Sequence, residues 1–462
     1  MELWKHQREA IQRAIPLEEY ALLFEPGTGK TCTVINIIRQ KFAQEKRKFK
    51  VLVLCPTIVC DNWSLEWPRF SKLKSEDILV ALGSGKKRSQ QIESTEATVI
   101  ITNYQSLIIK DVFEALKKWK PHCIVADESH RLKSPGAQTT KKAIELSSLA
   151  KYKYILTGTP ILKNLMDFYS QFKFLDGGST FGKSFSFFKN YYFYNKNANA
   201  PSHVTWPDWV VRPNATEEIK KKISSKAMYI EKSQCLDLPP LLKKEIKVEL
   251  SKEQLSHYNL MEKEFITYVE GQAATASIVL TKGLRLMQIV SGFITLENGD
   301  IHRFKDNPRI DALSEILSDV APYHKVIVWT CFKENYAMIR EVCAKLKLDY
   351  VEVTGENTKN RTESIDRFQN DPSVRVLIGA QSAGGIGVNL TAATFAVYYS
   401  RNFSLEHDIQ SEARNYRGGS EVHEKITRID LVAKNTMDEK VLEALASKQA
   451  ISDLVLKGFA RK

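Results

Sequence analysis

Short apolar runs of strand length alternate along the chain with longer amphipathic segments, and the alternation occurs twice. The predicted strands are residues 20–24, 51–54, 98–102, 123–126 and 152–156, and then 325–330, 350–353, 374–378, 395–399 and 426–431. The predicted helices between them include residues 30–42, 137–147, 308–317, 335–346 and 363–368. Continuous apolar strands separated by helices are typical of a parallel sheet covered on both faces. The pattern therefore predicts two similar α/β domains.

The middle of the chain has a different pattern. Residues 161–320 show helical spacing, as in 217–226, 252–270 and 274–290, but few strand-like runs. The paired prolines in Leu238-Pro239-Pro240 indicate a hinge, since proline stops a helix and stiffens the chain. We predict three parts: an N-terminal domain at 1–235 that includes an insertion at 161–235, a helical insertion or linker at 236–320, and a C-terminal domain at 321–462.

Aromatic residues are concentrated between residues 181 and 209. They are Phe181, Phe185, Phe187, Phe188, Tyr191, Tyr192, Phe193, Tyr194, Trp206 and Trp209. Such a group could stack nucleic-acid bases. Aromatic side chains also dominate small hydrophobic cores, and we favour the core of a helical subdomain.

Composition narrows the class of protein. The chain has 462 residues, of which 43% are apolar, and its 67 basic and 54 acidic residues give a net charge of +13. A basic excess of this size favours a polyanionic partner. No apolar run approaches the ~20 residues that span a bilayer, and the N-terminus lacks the apolar stretch of a signal peptide. The seven cysteines form no C-x-x-C pair, and the nine histidines show no zinc-binding spacing. We expect a soluble protein of the cytoplasm.

A candidate phosphate-binding loop follows the first predicted strand. The sequence there is Phe24-Glu25-Pro26-Gly27-Thr28-Gly29-Lys30-Thr31. The two glycines let the backbone curl so that its N–H groups face a phosphate at the start of a helix. Lys30 would reach the β- and γ-phosphates, and the Thr31 hydroxyl would coordinate Mg²⁺. Phe24 stands where the strict motif has its first glycine, but the strand–loop–helix setting favours a phosphate loop over a plain turn.

Two adjacent carboxylates, Asp127 and Glu128, end a later apolar strand. Neighbouring carboxylates repel each other unless a cation or solvent compensates. Asp127 is suited to binding Mg²⁺ through water, and Glu128 to polarising an attacking water. Alone, such a pair is commonly a polar turn. After a phosphate loop it predicts nucleotide hydrolysis.

Arg414 and Arg417 form a third candidate group near the end of the second domain. Their spacing of three residues predicts that they share one helix face. In isolation they would be surface charges. If the two sheets face each other across a cleft, they become arginine fingers on the γ-phosphate.

Taken in order, these motifs resemble the helicase-like ATPases of superfamily 2, and specifically the Swi/Snf-type DNA translocases. The matching segments are 3–7 with the adenine-recognition motif, 24–31 with motif I, 53–67 with motif Ia, 127–133 with motif II, 156–160 with motif III, 381–390 with motif V and 410–419 with motif VI. The resemblance implies two RecA-like, doubly wound parallel-sheet domains with a helical insertion between them. It implies an ATP site formed by Gln7, Pro26, Gly27, Thr28, Gly29, Lys30, Thr31, Gly385 and Gly387, with Mg²⁺ at Thr31 and Asp127.

The same resemblance implies which residues face nucleic acid. The matched positions are Pro56, Thr102, Lys133 and Ser382. The implied activity is ATP-dependent movement along double-stranded DNA by a monomeric motor, with no membrane partner. A strand-separating helicase acting on DNA or RNA is one alternative, and a nucleic-acid-binding scaffold with a decayed motor is another. A compact motor would suit the cytoplasm of a bacterium or a virus-infected cell, and we expect the nucleus less.

Overall fold

The structure is a computed structural model that describes residues 3–45, 49–162, 164–198, 207–235, 237–270, 276–296, 298–356, 360–382 and 388–456. The chain divides into two compact units, Met1–Leu236 with Lys448–Lys462, and Asp237–Ser447. Each unit contains one large sheet, and both sheets are parallel throughout. The predicted α/β class with two doubly wound, RecA-like sheets is confirmed.

The first unit contains a seven-stranded sheet. Its strands and helices in chain order are α1 (Lys5–Ala14), β1 (Glu19–Phe24), α2 (Lys30–Glu45), β2 (Val51–Cys55), α3 (Cys60–Phe70), β3 (Ile78–Val80), α4 (Gly85–Ser94), β4 (Val99–Asn103), α5 (Lys110–Trp119), β5 (Cys123–Asp127), α6 (Gln138–Ser147), β6 (Tyr152–Leu156), α7 (Asp167–Asp176), α8 (Phe185–Tyr192), β7 (Phe193–Asn195), β8 (Trp209–Val211), α9 (Ala215–Ile223) and β9 (Ala227–Ile230). The strand order is β3-β4-β2-β5-β6-β1-β9. Both faces of this sheet are covered by apolar side chains, so its strands are almost completely buried except for the half-buried edge strand β3.

The second unit contains a six-stranded sheet. Its elements are β10 (Leu241–Val248), α10 (Lys252–Glu270), α11 (Ala276–Val290), β11 (Phe293–Thr295), β12 (Ile301–Arg303), α12 (Pro308–Val320), β13 (Lys325–Thr330), α13 (Lys333–Lys345), β14 (Asp349–Val353), α14 (Arg361–Asn370), β15 (Val374–Ala380), β16 (Ala393–Tyr398), α15 (Leu405–Glu412), β17 (Ile426–Ala433) and the first part of α16 (Met437–Leu456). From Lys448 onward, α16 belongs to the first unit. The strand order is β10-β17-β16-β13-β15-β14.

The expectation of few strands between residues 161 and 320 is wrong. Strands β7 to β12 lie there, and two of them extend the large sheets: β9 pairs with β1, and β10 pairs with β17 over its whole length. β9 is a buried run of only four residues that follows a helix pattern, and the predicted helix 217–226 ends at Ile223. β10 is an edge strand with mostly exposed charged side chains, so it lacks the apolar run that identifies an interior strand.

The aromatic segment mainly forms core. Phe181, Phe188, Tyr192 and Phe193 are buried and pack with residues of α7, whereas Phe187, Tyr191 and Tyr194 are exposed. Trp206 lies outside the described residues. Over the part of the chain that the structure describes, no helix is both long and apolar enough to cross a membrane.

Candidate nucleotide-binding site

The segment between β1 and α2 forms a tight loop that only glycine accommodates at two positions. Gly27 and Gly29 have φ angles of +90° and +82°. The Thr28 hydroxyl donates a hydrogen bond of 2.7 Å to the carbonyl of Glu25, which closes the turn. A Cβ added at Gly29 would lie 2.2 Å from Nε2 of Gln7, so another side chain is excluded there by both conformation and space. The predicted phosphate loop therefore has the required backbone shape.

Lys30 is the first residue of α2, and its side chain returns over the loop. The Lys30 ammonium donates to the carbonyl of Phe24 at 2.9 Å and reaches that of Glu25 at 3.5 Å. Thr31 follows on the first turn of α2 and is half-buried. The positive end of the helix dipole and the Lys30 ammonium thus lie at one place, which is the arrangement that binds phosphate.

Two side chains at the start of α1 contact the backbone of the predicted phosphate loop. His6 Nε2 lies 2.9 Å from the carbonyl oxygen of Thr28, and since a carbonyl only accepts, Nε2 carries the hydrogen. Gln7 Oε1 accepts from the backbone N–H of Trp4 at 2.9 Å, and Gln7 Nε2 donates to the carbonyl of Gly29 at 3.4 Å. Burial lowers the pKa of His6 and so favours its neutral ring. Gln7 therefore lies against the predicted phosphate loop, and its part in binding a nucleotide stays a prediction.

Asp127 is the last residue of β5, and its carboxylate is buried and hydrogen-bonded. Oδ2 accepts from the indole Nε1 of Trp63 at 2.8 Å, and Oδ1 accepts from the backbone N–H of Glu128 at 3.0 Å. Burial and the neighbouring charge of Glu128 raise the pKa of Asp127 to about 6, whereas the charge of Lys30 acts in the opposite direction. A buried carboxylate with a raised pKa at the end of a strand is a candidate for a functional site.

Glu128 has an unusual backbone conformation. Its φ of 52° and ψ of 52° lie in the left-handed region, which non-glycine residues seldom adopt. The carboxylate of Glu128 lies 3.3 Å from Nδ1 of His130, whose ring also contacts the Thr157 hydroxyl at 3.0 Å. Strain of this kind persists where the surrounding structure fixes it, and it is concentrated at functional sites.

Strand β6 joins the loop to the acidic pair. In the sheet, Leu156 of β6 pairs with Leu22 of β1 on one side and with Asp127 of β5 on the other. Just beyond β6, a Cβ added at Gly158 would lie 2.6 Å from Cδ of Pro26, so this segment lies directly on the loop. The segment 157–159 therefore contacts the phosphate loop and, through His130, the acidic pair.

The pair Thr31 and Asp127 fits a Mg²⁺ site in its donor chemistry. A hydroxyl and a carboxylate supply the hard oxygen ligands that Mg²⁺ prefers, and phosphate oxygens and water commonly complete its shell. Over the described residues, no group of three or more His, Cys, Asp or Glu side chains is arranged to hold a metal. The site would thus hold the ion together with the nucleotide rather than alone.

In the second unit, Arg414 and Arg417 do not lie on a helix, contrary to our prediction. Helix α15 ends at Glu412, so Arg414 and Arg417 lie in the following turn and share no helix face. Arg417 donates to the carbonyl of Val388 at 3.3 Å, and the carbonyl of Arg414 accepts from the N–H of Leu390 at 2.9 Å. The helix expectation is wrong because Ala413 adopts a non-helical conformation just after the last turn. Gly385 and Gly387 lie outside the described residues.

A buried ion-pair network holds α15. Arg428 of β17 pairs with Asp408 at 2.8 Å, with Glu412 at 2.7 Å and with Asp430 at 3.0 Å. Its guanidinium also lies 4.1 Å from the ring centre of Tyr398. The sequence analysis missed this residue, since Arg428 lies in a strand-like segment without a motif. Its partners fix the helix that leads directly into Arg414 and Arg417.

The four predicted nucleic-acid contacts do not share one environment. Thr102 is fully buried, and its hydroxyl donates to the carbonyl of Ala81 at 2.8 Å. Pro56 is also buried, where the chain leaves β2, whereas Lys133 is half-buried and Ser382 is exposed. Thr102 thus lies near the end of β4 and Pro56 just after β2, both with buried side chains, and the assignment of the four positions to nucleic acid stays a prediction.

The fold and the site are those of the helicase-like proteins of superfamily 2. The SNF2-related domain matches residues 6–292, and the helicase conserved C-terminal domain matches residues 308–419. The chain belongs to the SNF2-related family.

Individual relatives are similar over nearly the whole chain. An uncharacterized ATP-dependent helicase of Mycoplasma genitalium is 26% identical over 97% of this chain and 42% of its own length. A protein of Acyrthosiphon pisum secondary endosymbiont phage 1, p41, is 26% identical over 94% of both chains. The chromodomain-helicase-DNA-binding protein 1-like of Danio rerio is 24% identical over 94% of this chain and 41% of its own. This chain thus spans less than half the length of two of these relatives.

A solved structure is also similar. It is the Sulfolobus solfataricus SWI2/SNF2 ATPase core in complex with dsDNA, with 24% identity, 99% of this chain and 94% of that chain covered, and a TM-score of 0.45.

Proposed function

We propose that the protein hydrolyses ATP with Mg²⁺ and couples hydrolysis to movement along double-stranded DNA. The observation that carries the ATP part is the junction of three elements in the first unit: the phosphate loop with Lys30, the strand end with Asp127, and the segment at Gly158 that contacts the loop. Family membership supports the same activity.

Each residue of the site has a role in this reaction. Lys30 and the loop N–H groups bind the β- and γ-phosphates, and Thr31 with Asp127 holds the cation. Mg²⁺ would neutralise phosphate charge and draw electron density from the transferring group. Glu128 orients the attacking water, and Arg414 and Arg417 stabilise charge on the γ-phosphate in the transition state.

Double-stranded DNA is the substrate that we propose for the motor. A net charge of +13 favours a polyanion, and the name of the Danio rerio relative includes DNA binding. We also propose that the protein acts as a monomer in the cytoplasm. Strand separation on DNA or RNA, and nucleic-acid binding without turnover, are the competing functions.

The first experiment is the steady-state ATPase rate without nucleic acid and with duplex DNA, single-stranded DNA or RNA, each at two salt concentrations. We expect duplex DNA to stimulate most and the stimulation to fade with salt, because phosphate contacts release counterions. Stimulation mainly by single strands would favour a strand-separating helicase, and no turnover under any condition would contradict the proposal.

Movement along the duplex needs a separate measurement. A third DNA strand annealed in the major groove should be displaced when ATP is present, while the two strands of the duplex stay paired. Release of a labelled strand of the duplex itself would instead show a helicase.

A further inference from the structure

Two aromatic side chains of α8 lie on the surface rather than in the core. Phe187 is 65% exposed and Tyr191 is 51% exposed. They are four residues apart on the helix, so both lie on the same face. Their rings stack on each other, with 5.8 Å between the ring centres and 20° between the ring planes. Single exposed apolar residues are ordinary, but a stacked pair of exposed rings, which we call the aromatic pair, is a candidate for binding.

The other face of α8 is fixed in the hydrophobic core. The ring centre of Phe188 lies 5.0 Å from that of Phe181 and 5.2 Å from that of Tyr169, and all three side chains are buried. The N–H of Phe187 donates to the hydroxyl of the N-cap residue Ser184 at 3.3 Å. The helix is therefore anchored, and the aromatic pair needs no large rearrangement before it contacts a ligand.

Positive charge accompanies these exposed rings. Residues 181–213 contain four basic residues and one acidic residue. The ammonium of Lys189, on α8 itself, lies 4.2 Å from the ring centre of Trp209 on β8. The guanidinium of Arg212 lies 6.0 Å from the ring centre of Tyr194, which is 41% exposed. The segment thus combines exposed aromatic rings with cations, and this combination suits a polyanion that carries flat apolar groups.

Nucleic acid with unpaired bases has this chemistry. In a duplex each base already lies between its neighbours, so a ring on a protein surface reaches the face of a base only where the strand is unpaired. Proteins that bind single strands stack successive bases on aromatic side chains and hold the phosphates with basic ones. An apolar surface of a partner protein would have no need of the excess positive charge.

We propose that the aromatic pair is a binding site for single-stranded nucleic acid, in which an unpaired base stacks on Phe187 or Tyr191 and nearby basic side chains contact the adjacent phosphates. This site uses none of the residues of the nucleotide-binding site. It goes beyond the proposed movement along double-stranded DNA, since it requires bases that are not paired.

The test measures stacking directly. The probe is a single-stranded DNA of about 12 nucleotides that contains the fluorescent base 2-aminopurine, whose emission is quenched when it stacks on a ring. It is titrated with the full chain in the absence of ATP. We expect quenching with the unaltered protein. In the double variant Phe187→Gln, Tyr191→Gln, the quenching should disappear and the dissociation constant should rise about tenfold. Glutamine is a good helix former, so α8 is retained while both rings are lost.

Two further variants serve as controls. The exchange Phe187→Tyr with Tyr191→Phe keeps both rings and should keep both the quenching and the affinity. Tyr323→Gln removes an 80% exposed ring in the second unit and should change neither. The affinity of the double glutamine variant for a duplex of the same length, measured by competition, should equal that of the unaltered protein.

Three results would overturn the inference. Quenching and affinity that persist in the double glutamine variant would mean that the base does not stack on the aromatic pair. Equal losses for the single strand and the duplex would mean that the rings only support a general phosphate surface. No binding of the single strand by the unaltered protein would leave the exposed rings to a partner protein instead.

The proposed function fails in a different experiment. If the unaltered protein binds the single strand with quenching but hydrolyses no ATP in the presence of duplex DNA, the proposed function is wrong and the single-strand site stands. If duplex DNA stimulates hydrolysis while the single-strand probe is not quenched, the motor stands and the single-strand site is wrong.

Discussion

The indole Nε1 of Trp63 donates a hydrogen bond of 2.8 Å to Oδ2 of Asp127, and both side chains are buried. Trp63 lies on α3, after the second strand of the chain, whereas Asp127 ends β5. The bond fixes one carboxylate oxygen of the proposed Mg²⁺ site in a place from which most water is excluded. It also gives helix α3 a direct contact with the hydrolytic centre.

Asp127→Asn should stabilise the protein at neutral pH while abolishing turnover. Burial and Glu128 raise the pKa of Asp127 from 3.8 to about 6. At pH values between 3.8 and about 6, the Asp127 carboxyl is deprotonated in the unfolded chain but still protonated in the folded chain. The free energy of unfolding therefore falls as the pH rises through this range, and the loss is complete above about pH 6. Asparagine keeps an acceptor for Trp63 and removes the buried charge, but its amide nitrogen replaces the oxygen that accepts from the Glu128 N–H, which costs about 1–2 kcal/mol. Removing the charge gains about 3 kcal/mol at pH 8, so we expect a net gain of about 1–2 kcal/mol there and no gain at pH 4.

Thermal unfolding of Asp127→Asn at both pH values measures this difference. Asp208→Asn, at an exposed aspartate, is the control and should leave the unfolding temperature unchanged. A lower unfolding temperature for Asp127→Asn at pH 8 would contradict the argument.

Glu128→Gln should retain nucleotide binding and lose hydrolysis. Glutamine has nearly the same size but no charge to orient and polarise water, so turnover should fall by ~10³-fold. Single-turnover ATP hydrolysis and ADP calorimetry separate the two effects, with Glu114→Gln, on the exposed face of α5, as the control. Substantial turnover in Glu128→Gln would show that another residue orients the water. Lys30→Ala, in contrast, should lose both binding and turnover.

Arg417→Ala should fold normally, bind ATP and hydrolyse it ~10³-fold more slowly, since an arginine finger acts mainly in the transition state. The measurement is kcat with the dissociation constant for ADP. Arg367→Ala removes an exposed arginine of α14 and should leave both values unchanged. A near-normal rate in Arg417→Ala would mean that its guanidinium does not reach the nucleotide.

Arg428→Leu should act through the fold of the second unit. Removing the guanidinium takes away the ion pair of Asp408 and leaves Asp430 to Arg401 and Glu412 to Lys243 alone, in a largely buried place. We expect this to cost about 3–5 kcal/mol of stability. Chemical denaturation followed by fluorescence measures the loss. Arg367→Leu breaks an exposed pair of 3.2 Å and should cost less than about 1 kcal/mol. Equal costs in the two variants would contradict the assigned role of the network.

Thr102→Val should weaken stability and leave DNA affinity unchanged. The hydroxyl of Thr102 is buried and bonded to the carbonyl of Ala81, and valine would leave that carbonyl without this donor, at a cost of about 1–3 kcal/mol. Denaturation and DNA titration at fixed salt measure the two quantities. Thr362→Val, on the exposed face of α14, is the control. A fall in DNA affinity without a loss of stability would support the contact implied by the family resemblance.

The sequence analysis succeeded where the physical signal is local. Interior strands such as β2 and β13 are continuous apolar runs, and the two glycines of the phosphate loop adopt positive φ angles that other residues avoid. It failed where the structure depends on contacts between residues that are far apart in the sequence. The edge strand β10 is polar, and the bond between Trp63 and Asp127 joins positions 64 residues apart.

Resemblance to a motif also did not determine which way a side chain points. The resemblance implies that Thr102 faces nucleic acid, yet its hydroxyl donates to the backbone carbonyl of Ala81. Arg414 and Arg417 have helical spacing in the sequence, but α15 ends before them. The boundaries predicted at residues 235 and 320 stay predictions.

The parallel pairing of β10 with β17 joins the start of the second unit to its last strand, from Leu241 opposite Ile426 to Val248 opposite Ala433. A fragment cut at residue 321 would lack β10 and would leave the backbone N–H and carbonyl groups of β17 open along eight residues. Open edges of this kind recruit strands from other molecules. Recombinant fragments of the second unit that begin at residue 237 should therefore remain monomeric at concentrations where fragments beginning at residue 321 aggregate.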